Sequence, residues 1–334
     1  MLKIGVIGCG AIGRDHIRRL TNLVPGATVV ACADYFREAA DKTAEQYNIK
    51  NVYDTGEELI GSEEVEAIII TSSDASHATY VLECMKYKKP VFCEKPLAET
   101  AADCEKIIKS EVANGKRLIQ VGFMRRYDPG YQEMKRIIDS GELGEPLIVH
   151  ASHRNMSQPD GVTTPMGVSN VAIHEIDICR WLLSDEYKSG QVLKVRQSSY
   201  STKGYDNPQI VLLETEKGCR IDVEVQMSDG YGYDIQCQVV CEKGTVSLPD
   251  PYAITVRSNA SCSVPILTDW SERFIQAYDI EFNDWVRAVE SGNYTGPSAW
   301  DGYAACVAAD TLNRSRNTGQ FLTIEMMDKP DLYQ

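Results

Sequence analysis

Residues 5–13 read GVIGCGAIG and join a short apolar run to an amphipathic stretch. Three glycines in this segment form the pattern G-x-G-x-x-G. The first permits a tight turn, the second lets a pyrophosphate approach the backbone, and the third lets the following helix pack on the strand, with its amides facing the phosphates. The pattern therefore predicts a strand, a turn and a helix that bind a dinucleotide. The residues assigned to the cofactor here are Gly8, Gly10, Ala11, Ile12 and Gly13.

An acidic residue follows the second predicted strand. Asp34 lies 34 − 13 = 21 residues after Gly13. Its carboxylate can accept hydrogen bonds from ribose hydroxyls and would repel a 2′-phosphate. Tyr35 is assigned to the same site. Arg37 is close enough to favour a phosphate, but Asp34 favours NAD over NADP; the alternative interpretation is a glycine turn without a ligand.

Short apolar runs alternate with longer amphipathic stretches along the first third of the chain. The runs are residues 3–7, 28–33, 67–71, 90–93 and 118–121. They show little alternation, so both faces are expected to be buried, as in a parallel sheet with crossover helices. This predicts an α/β fold in which residues 1–122 form an NAD-binding Rossmann domain with a doubly wound parallel sheet.

The pattern changes after about Phe123. Residues 220–227 alternate strictly between apolar and polar side chains, which is typical of a sheet with one buried face. Helices are predicted at about residues 130–139, 170–183, 270–291 and 300–316. We therefore predict that residues 123–334 form a substrate-binding and oligomerisation α+β domain on a large open, mainly antiparallel sheet.

The composition narrows the possible partners. The chain has 334 residues, and its 48 acidic and 34 basic residues give a net charge of −14, which repels nucleic acid and anionic membranes. No apolar run approaches the roughly 20 residues that span a bilayer. The 11 cysteines have no repeated spacing, which argues against a disulfide framework or a metal site. We expect a cytoplasmic protein without nucleic-acid, membrane or metal partners.

A lysine follows the apolar run at residues 90–93, in the triplet Glu94-Lys95-Pro96. Open α/β sheets bind ligands at the carboxyl ends of their strands, where Lys95 is expected; the alternative is a solvated turn lysine. The neighbouring strand ends in Thr71-Ser72-Ser73, and His77 lies on the helix that follows, so these residues are expected near the nicotinamide. The cofactor residues predicted here are Thr71, Ser72, Ser73, His77, Glu94 and Lys95.

A second group of polar residues has helical spacing. At 100° per residue, the positions i, i+4, i+7 and i+11 fall in one narrow stripe. Ile173 and Ile178 border this stripe, whereas a solvated face would be bordered by charges. The stripe therefore predicts an enclosed site, the alternative being a core histidine. Its members are Asn170, His174, Asp177 and Trp181.

These signals together resemble the Gfo/Idh/MocA oxidoreductase family over essentially the whole chain. Longer runs are similar to the inositol 2-dehydrogenases within that family. They are VFCEKPL at 91–97, GFMRRYD at 122–128, HEID at 174–177, YGYDIQC at 231–237 and GPSAWDGY at 296–303.

The resemblance implies an NAD-dependent dehydrogenase, usually a homotetramer in inositol catabolism, that oxidises a secondary hydroxyl of a small polyol, for example myo-inositol to 2-keto-myo-inositol. His174 would act as the base, and Lys95 would stabilise the developing alkoxide. Asn170 stands where the inositol 2-dehydrogenases have Asp, and an amide can orient the imidazole but adds little charge stabilisation. The other implied residues are Met124 at the cofactor and Arg125, His153, Asn155, Asp177 and Tyr233 at the substrate.

Three alternatives stay open. The first is a sugar dehydrogenase or a glucose–fructose type oxidoreductase of the same family. The second is a non-catalytic NAD-sensing regulator, which would be expected to lack Lys95 or His174. The third is an NAD-dependent glycosidase. The sequence does not distinguish the inositol isomer or the hydroxyl that is oxidised.

Overall fold

The computed structural model describes residues 1–158, 161–251 and 254–334. Its strands are β1 (Leu2–Ile7), β2 (Ala27–Ala33), β3 (Asn51–Tyr53), β4 (Ala67–Ile70), β5 (Val91–Glu94), β6 (Ile119–Gly122), β7 (Pro146–Arg154), β8 (Tyr187–Lys194), β9 (Gln209–Thr215), β10 (Arg220–Gln226), β11 (Asp234–Cys241), β12 (Gly244–Ser247), β13 (Val256–Ser258), β14 (Ser261–Ser263) and β15 (Leu322–Thr323). Its α-helices are α1 (Ala11–Asn22), α2 (Arg37–Tyr47), α3 (Gly56–Gly61), α4 (Asp74–Lys86), α5 (Ala101–Asn114), α6 (Pro129–Asp139), α7 (Ile173–Leu183), α8 (Trp270–Arg273), α9 (Ile275–Ser291) and α10 (Ala299–Thr318).

The chain divides into two compact units. The first contains Met1–Phe123, Tyr278–Cys306 and Met327–Gln334, and the second contains Met124–Ala277 and Val307–Met326. The sequence analysis placed a single boundary after residue 122. The chain changes unit after Phe123, and two later segments also belong to the first unit, which a single boundary does not describe.

Aromatic side chains explain why the segment Tyr278–Cys306 belongs to the first unit. Phe282 and Trp285 of α9 are fully buried in the same core as Ile4 and Val6 of β1. Phe92 of β5 packs on both rings, at centroid distances of 4.7 and 5.8 Å. Burial of such large apolar surfaces is favourable enough to hold a distant segment against the sheet.

The first unit is built on a parallel sheet with the strand order β3-β2-β1-β4-β5-β6. Its inner strands are buried on both faces; Ile68, Ile69 and Ile70 of β4 are all inaccessible to solvent. This confirms the predicted doubly wound sheet. The strand order reverses between β1 and β4, and ligands of open α/β sheets bind outside the carboxyl ends of the strands at such a reversal.

The end of the chain is tied to the first unit through a buried carboxyl group. Glu111 of α5 accepts hydrogen bonds from the backbone N–H groups of Leu118 and Ile119, at 2.5 and 2.7 Å. The hydroxyl of Tyr333 donates to its other oxygen. Burial raises the pKa of Glu111, and these three uncharged donors together with the charge of Arg117 only partly oppose that effect.

The second unit is built on a sheet with the strand order β12-β11-β7-β10-β9-β8-β15. β7 and β10 are parallel, and the other neighbours are antiparallel, so the predicted mainly antiparallel sheet is confirmed. Ile221, Val223 and Val225 of β10 are buried on one face, as their alternation predicts. The other face carries charged pairs, such as Arg154 with Glu224 at 2.6 Å.

Two predicted helices differ from the structure. The helix predicted from about residue 270 is interrupted at Phe274, which separates α8 from α9. The helix predicted from Asn170 begins at Ile173 as α7, and Gly167–Ala172 forms a π-helical turn before it. A π turn holds more residues than an α turn, so the angle of 100° per residue does not apply to residues 167–172, and the shared stripe of Asn170 and His174 stays a prediction. Hydrophobic periodicity cannot detect such a local widening.

No helix within the described residues is both long and apolar enough to cross a membrane.

Candidate active site

The glycine loop of the first unit is fixed by close packing at two of its three glycines. Gly8 has a φ of +104°, and a Cβ on it would lie 2.5 Å from the backbone of Thr71. A Cβ on Gly13 would lie 2.0 Å from the carbonyl oxygen of Gly8. At Gly10, by contrast, a Cβ would meet no atom within 4 Å. Gly8 and Gly13 are therefore required by the fold, whereas Gly10 leaves open space beside the start of α1.

This open space fits the pyrophosphate of a dinucleotide. Gly10 precedes α1 and has no side chain to cap it, so the first amides of this twelve-residue helix remain available to an anion. Thr71 connects β4 to the same loop, because its hydroxyl donates to the carbonyl of Gly8 at 2.8 Å.

The carboxylate of Asp34 lies beside the glycine loop. One of its oxygens accepts from the backbone N–H of Cys9 at 2.6 Å, and the other from that of Phe36 at 2.8 Å. Tyr35 is 94% exposed, with its ring 5.1 Å from that of Phe36. Arg37 pairs with the carboxylates of Asp41 and Asp54, so its charge is already balanced, in accord with the predicted preference for NAD.

The turn Glu94-Lys95-Pro96 begins at the carboxyl end of β5. Lys95 is half-buried. One oxygen of Glu94 accepts from the backbone N–H of Lys95 at 3.2 Å, and the other lies 2.8 Å from Nε2 of His16. His16 is not among the residues predicted from the sequence, although it lies on α1 only three residues after Gly13, where a polar residue on the buried side of the helix is a recognisable signal.

His77 links this turn to the end of β4. Its Nδ1 lies 2.7 Å from the carbonyl oxygen of Pro96, and its Nε2 lies 3.2 Å from that of Ser72. The side chain is buried. Ser72 and Ser73 lie in the same loop and contact Ser76 through their hydroxyls, at 2.7 and 3.4 Å. The predicted cofactor contacts of these residues stay predictions.

In the second unit, the structure brings three of the predicted substrate-site residues together. His174 lies on α7, and its ring centroid is 6.2 Å from that of His153 on β7. The ring of Tyr233 meets His153 edge-on at 5.9 Å. Asn155 follows β7, where its backbone N–H donates to the carbonyl of Gln226 at 2.8 Å. Met124 is buried, and Asn170 is half-buried in the π-helical turn.

His153 contacts a buried ion pair. Arg125 and Glu175 are each 1% exposed and form a direct pair. His153 Nδ1 lies 3.1 Å from Nη2 of Arg125 and 3.0 Å from Oε2 of Glu175. Burial alone would raise the pKa of Glu175, but the charge of Arg125 and the contact with His153 hold that pKa at about 2. Burial raises the pKa of Tyr233 to about 12, which keeps its hydroxyl protonated.

Asp177 is also held by an arginine. Arg126 donates to both of its carboxylate oxygens, from Nε at 2.9 Å and from Nη2 at 2.5 Å. The side chain of Asp177 is 1% exposed, and this pairing compensates its charge. Arg126 and Glu175 are not among the site residues predicted from the sequence, although they lie in the runs GFMRRYD and HEID.

The predicted site residues thus fall into two groups. Lys95 and the predicted cofactor residues other than Met124 belong to the first unit, whereas Met124, Asn170, His174 and the predicted substrate residues belong to the second. Across residues 1–158, 161–251 and 254–334, no three His, Cys, Asp or Glu side chains are grouped so that they could hold a metal ion.

Comparisons with known proteins agree with this division. Residues 2–123 match the model of the oxidoreductase family with an NAD-binding Rossmann fold, and residues 135–326 match its C-terminal α/β domain. The chain belongs to the Gfo/Idh/MocA oxidoreductase family. This confirms the resemblance found in the sequence and the prediction of an NAD-dependent oxidoreductase.

Within the Gfo/Idh/MocA family, the chain is similar to named inositol dehydrogenases over its whole length. It is 49% identical to inositol 2-dehydrogenase of Burkholderia cenocepacia (strain HI2424), covering 100% of this chain and 99% of that protein. It is 47% identical to inositol 2-dehydrogenase of Serratia proteamaculans (strain 568), covering 99% of each. The crystal structure of myo-inositol dehydrogenase from Lactobacillus casei in complex with NAD(H) and myo-inositol superposes with a TM-score of 0.97 at 39% identity, covering 100% of both chains.

Two glycine substitutions should separate cofactor binding from folding. Gly10→Ala adds a methyl group to open space at a φ of −70°, which alanine adopts easily, so it should leave Tm unchanged but weaken NAD binding about tenfold or more. Gly13→Ala collides with the carbonyl of Gly8 and should lower Tm. Calorimetric titration with NAD and thermal unfolding test both variants; unchanged NAD affinity in Gly10→Ala would contradict the assignment.

Replacing each of two buried carboxyl groups by an amide should change the unfolding free energy in opposite directions. Glu175→Gln leaves the charge of Arg125 buried without a counter-charge, so it should cost about 3–5 kcal/mol of unfolding free energy at pH 7. The control, Glu111→Gln, replaces a carboxyl whose three hydrogen-bond donors are neutral, and should be neutral or stabilising at pH 7.

The pH dependence follows from the direction of each pKa shift. The contribution of Glu175 to the unfolding free energy is present above its ordinary pKa of 4.5 and is lost as the pH falls towards about 2. The difference in unfolding free energy between wild type and Glu175→Gln should therefore shrink over that range. The pKa of Glu111 is raised, so this group lowers the unfolding free energy of the wild type as the pH rises above 4.5. Glu111→Gln should remove this decrease in unfolding free energy. Urea unfolding at several pH values measures the change in unfolding free energy for each variant. Equal losses of unfolding free energy in Glu175→Gln and Glu111→Gln at pH 7 would contradict this account.

Proposed function

We propose that this enzyme is an inositol dehydrogenase that oxidises a secondary hydroxyl of an inositol, with myo-inositol converted to 2-keto-myo-inositol, and reduces NAD. One observation carries the proposal: the chain matches named inositol 2-dehydrogenases from end to end at up to 49% identity. We further propose a cytoplasmic homotetramer that serves inositol catabolism.

The proposed chemistry removes a proton from the hydroxyl oxygen and a hydride from the carbon that bears it. NAD supplies the hydride acceptor when it is bound. His174 takes the proton as the general base, and Lys95 donates a hydrogen bond to the same oxygen and stabilises its developing negative charge. General-base catalysis and electrostatic stabilisation of this kind each contribute about 10²–10³-fold in typical enzymes.

The proposed specificity comes from the polar groups around His174. Tyr233 offers a protonated hydroxyl, His153 a ring nitrogen and Asp177 an acceptor that Arg126 holds in place. Asn155 adds an amide at the end of β7. We also assign Arg125 to the substrate, its charge being balanced by Glu175. An inositol presents a hydroxyl on every ring carbon, and a substrate that lacks one would leave a buried polar group unpaired, so discrimination should be strong.

The activity is tested by NADH formation with myo-, scyllo- and chiro-inositol and with glucose. An inositol should be the best substrate. Lys95→Ala and His174→Ala should each lower kcat about 100-fold or more, while NAD still binds. Lys109→Ala is the control, because Lys109 is an exposed surface residue paired with Glu105.

Each competing activity has its own outcome in these assays. Faster oxidation of glucose than of every inositol would favour a sugar dehydrogenase, and free sugar released from an aryl glycoside would favour a glycosidase. NAD binding without any turnover would favour a regulatory protein. Near-wild-type turnover in Lys95→Ala or His174→Ala would refute the catalytic roles.

Asn170→Asp tests the residue in which this chain departs from the inositol 2-dehydrogenases. A carboxylate near His174 favours the imidazolium, so it should raise the pKa of the base, shift the rising limb of the pH–kcat/KM profile to higher pH and increase the rate on its plateau. Ser169→Asp, which adds the same charge one residue earlier in the π-helical turn, serves as the control. An unchanged profile in Asn170→Asp would show that this position does not tune the base.

A further inference from the structure

The turn that carries Lys95 is held on both sides by buried histidines of the first unit. His16 of α1 contacts Glu94, the residue before Lys95, at 2.8 Å. His77 of α4 contacts the carbonyl of Pro96, the residue after Lys95, at 2.7 Å. The first of these contacts is the more informative, because it joins two ionisable side chains that are both buried.

His16 is enclosed by aromatic rings. It is 0% exposed, and its ring lies 4.6 Å from that of Phe282, 5.4 Å from that of Tyr278 and 6.1 Å from that of Phe92. Its Nδ1 has no hydrogen-bond partner among the described residues, so the contact with Glu94 provides the hydrogen bond of this ring. Because a carboxylate accepts, Nε2 must carry the proton and donate it. A residue that only filled the core would not require this polar ring.

The carboxylate of Glu94 is fixed on three sides. His16 contacts one oxygen, and the backbone N–H of Lys95 donates to the other at 3.2 Å. Gly122 lies against the group, since a Cβ added there would be 3.1 Å from the carboxylate atoms. Without the donor on His16, one buried oxygen would lose its hydrogen bond, and the carboxylate could turn towards the ammonium group of Lys95.

We propose that His16 is a positioning residue for Lys95 and acts through Glu94. This inference rests on the proposed catalytic role of Lys95. Helix α1, which begins at the glycine loop, thereby also determines the orientation of Lys95 at the end of β5. A small displacement of a catalytic group can lower the rate about 100-fold without weakening substrate binding in proportion.

Three variants test the inference by steady-state kinetics with an inositol. His16→Leu removes the donor and should lower kcat about tenfold or more, with the Kd for NAD and the KM for the inositol changed less than about twofold. His16→Gln keeps an N–H at a similar reach and should restore most of kcat. Phe282→Leu disturbs the packing around the same ring without removing the donor, so it should lower Tm but leave kcat within about twofold.

A second measurement does not depend on activity. Competitive acylation by trace acetic anhydride, read by mass spectrometry, reports the reactivity of the Lys95 amine relative to that of exposed Lys106. This ratio should change at least about threefold in His16→Leu and return towards the wild-type ratio in His16→Gln. If the wild type oxidises no inositol, the proposed function fails, while the acylation ratio still tests the positioning of Lys95.

The inference would be overturned by a His16→Leu variant with wild-type kcat and a wild-type acylation ratio. It would also be overturned if His16→Gln and His16→Leu lost activity equally, or if Phe282→Leu lost as much kcat as His16→Leu, because each result would indicate a purely structural role. Should His16→Leu not fold, His16→Asn takes its place in both measurements, since its shorter amide cannot reach Glu94.

Discussion

The contact between Gly13 and the carbonyl of Gly8 is the constraint on which the first unit depends. It leaves room for a hydrogen atom but not for a methyl group, and so it brings α1 against β1. This approach aims the first amides of α1 at the open space beside Gly10, and the same helix carries His16 into the aromatic core. Close packing of one backbone segment thus determines both the open space predicted to hold the phosphates and the contact with Glu94.

The second unit depends on charge balance rather than on close backbone contact. α7 is buried along most of its length, yet it carries His174, Glu175 and Asp177. Two arginines from consecutive positions compensate the two carboxylates: Arg125 pairs with Glu175, and Arg126 with Asp177. Such burial is costly unless each charge has a partner with good geometry. The resulting pairs hold the polar groups around His174 in place, as the proposed site for a polyhydroxylated ring requires.

Family membership and the local geometry answer different questions. Full-length similarity to named inositol dehydrogenases supports the reaction class and the substrate. The geometry adds what similarity does not express: Arg37 is balanced by two carboxylates, the hydroxyl of Tyr233 is protonated, and Asn170 lies in a widened helical turn. That turn places Asn170, at which the sequence resemblance implies a departure from the inositol 2-dehydrogenases, where the backbone itself is irregular.

The sequence by itself determined the fold class, the glycine loop and the family, because each follows from local spacing or from runs of consecutive residues. Tertiary structure decided the rest. Only contacts between distant positions show that residues 278–306 join the first unit, that Glu94 meets His16, and that Glu175 balances Arg125. Hydrophobic periodicity indicates which face of a helix or strand is buried. It contains no information about which residue pairs with a buried charge, and so it could not predict these pairs.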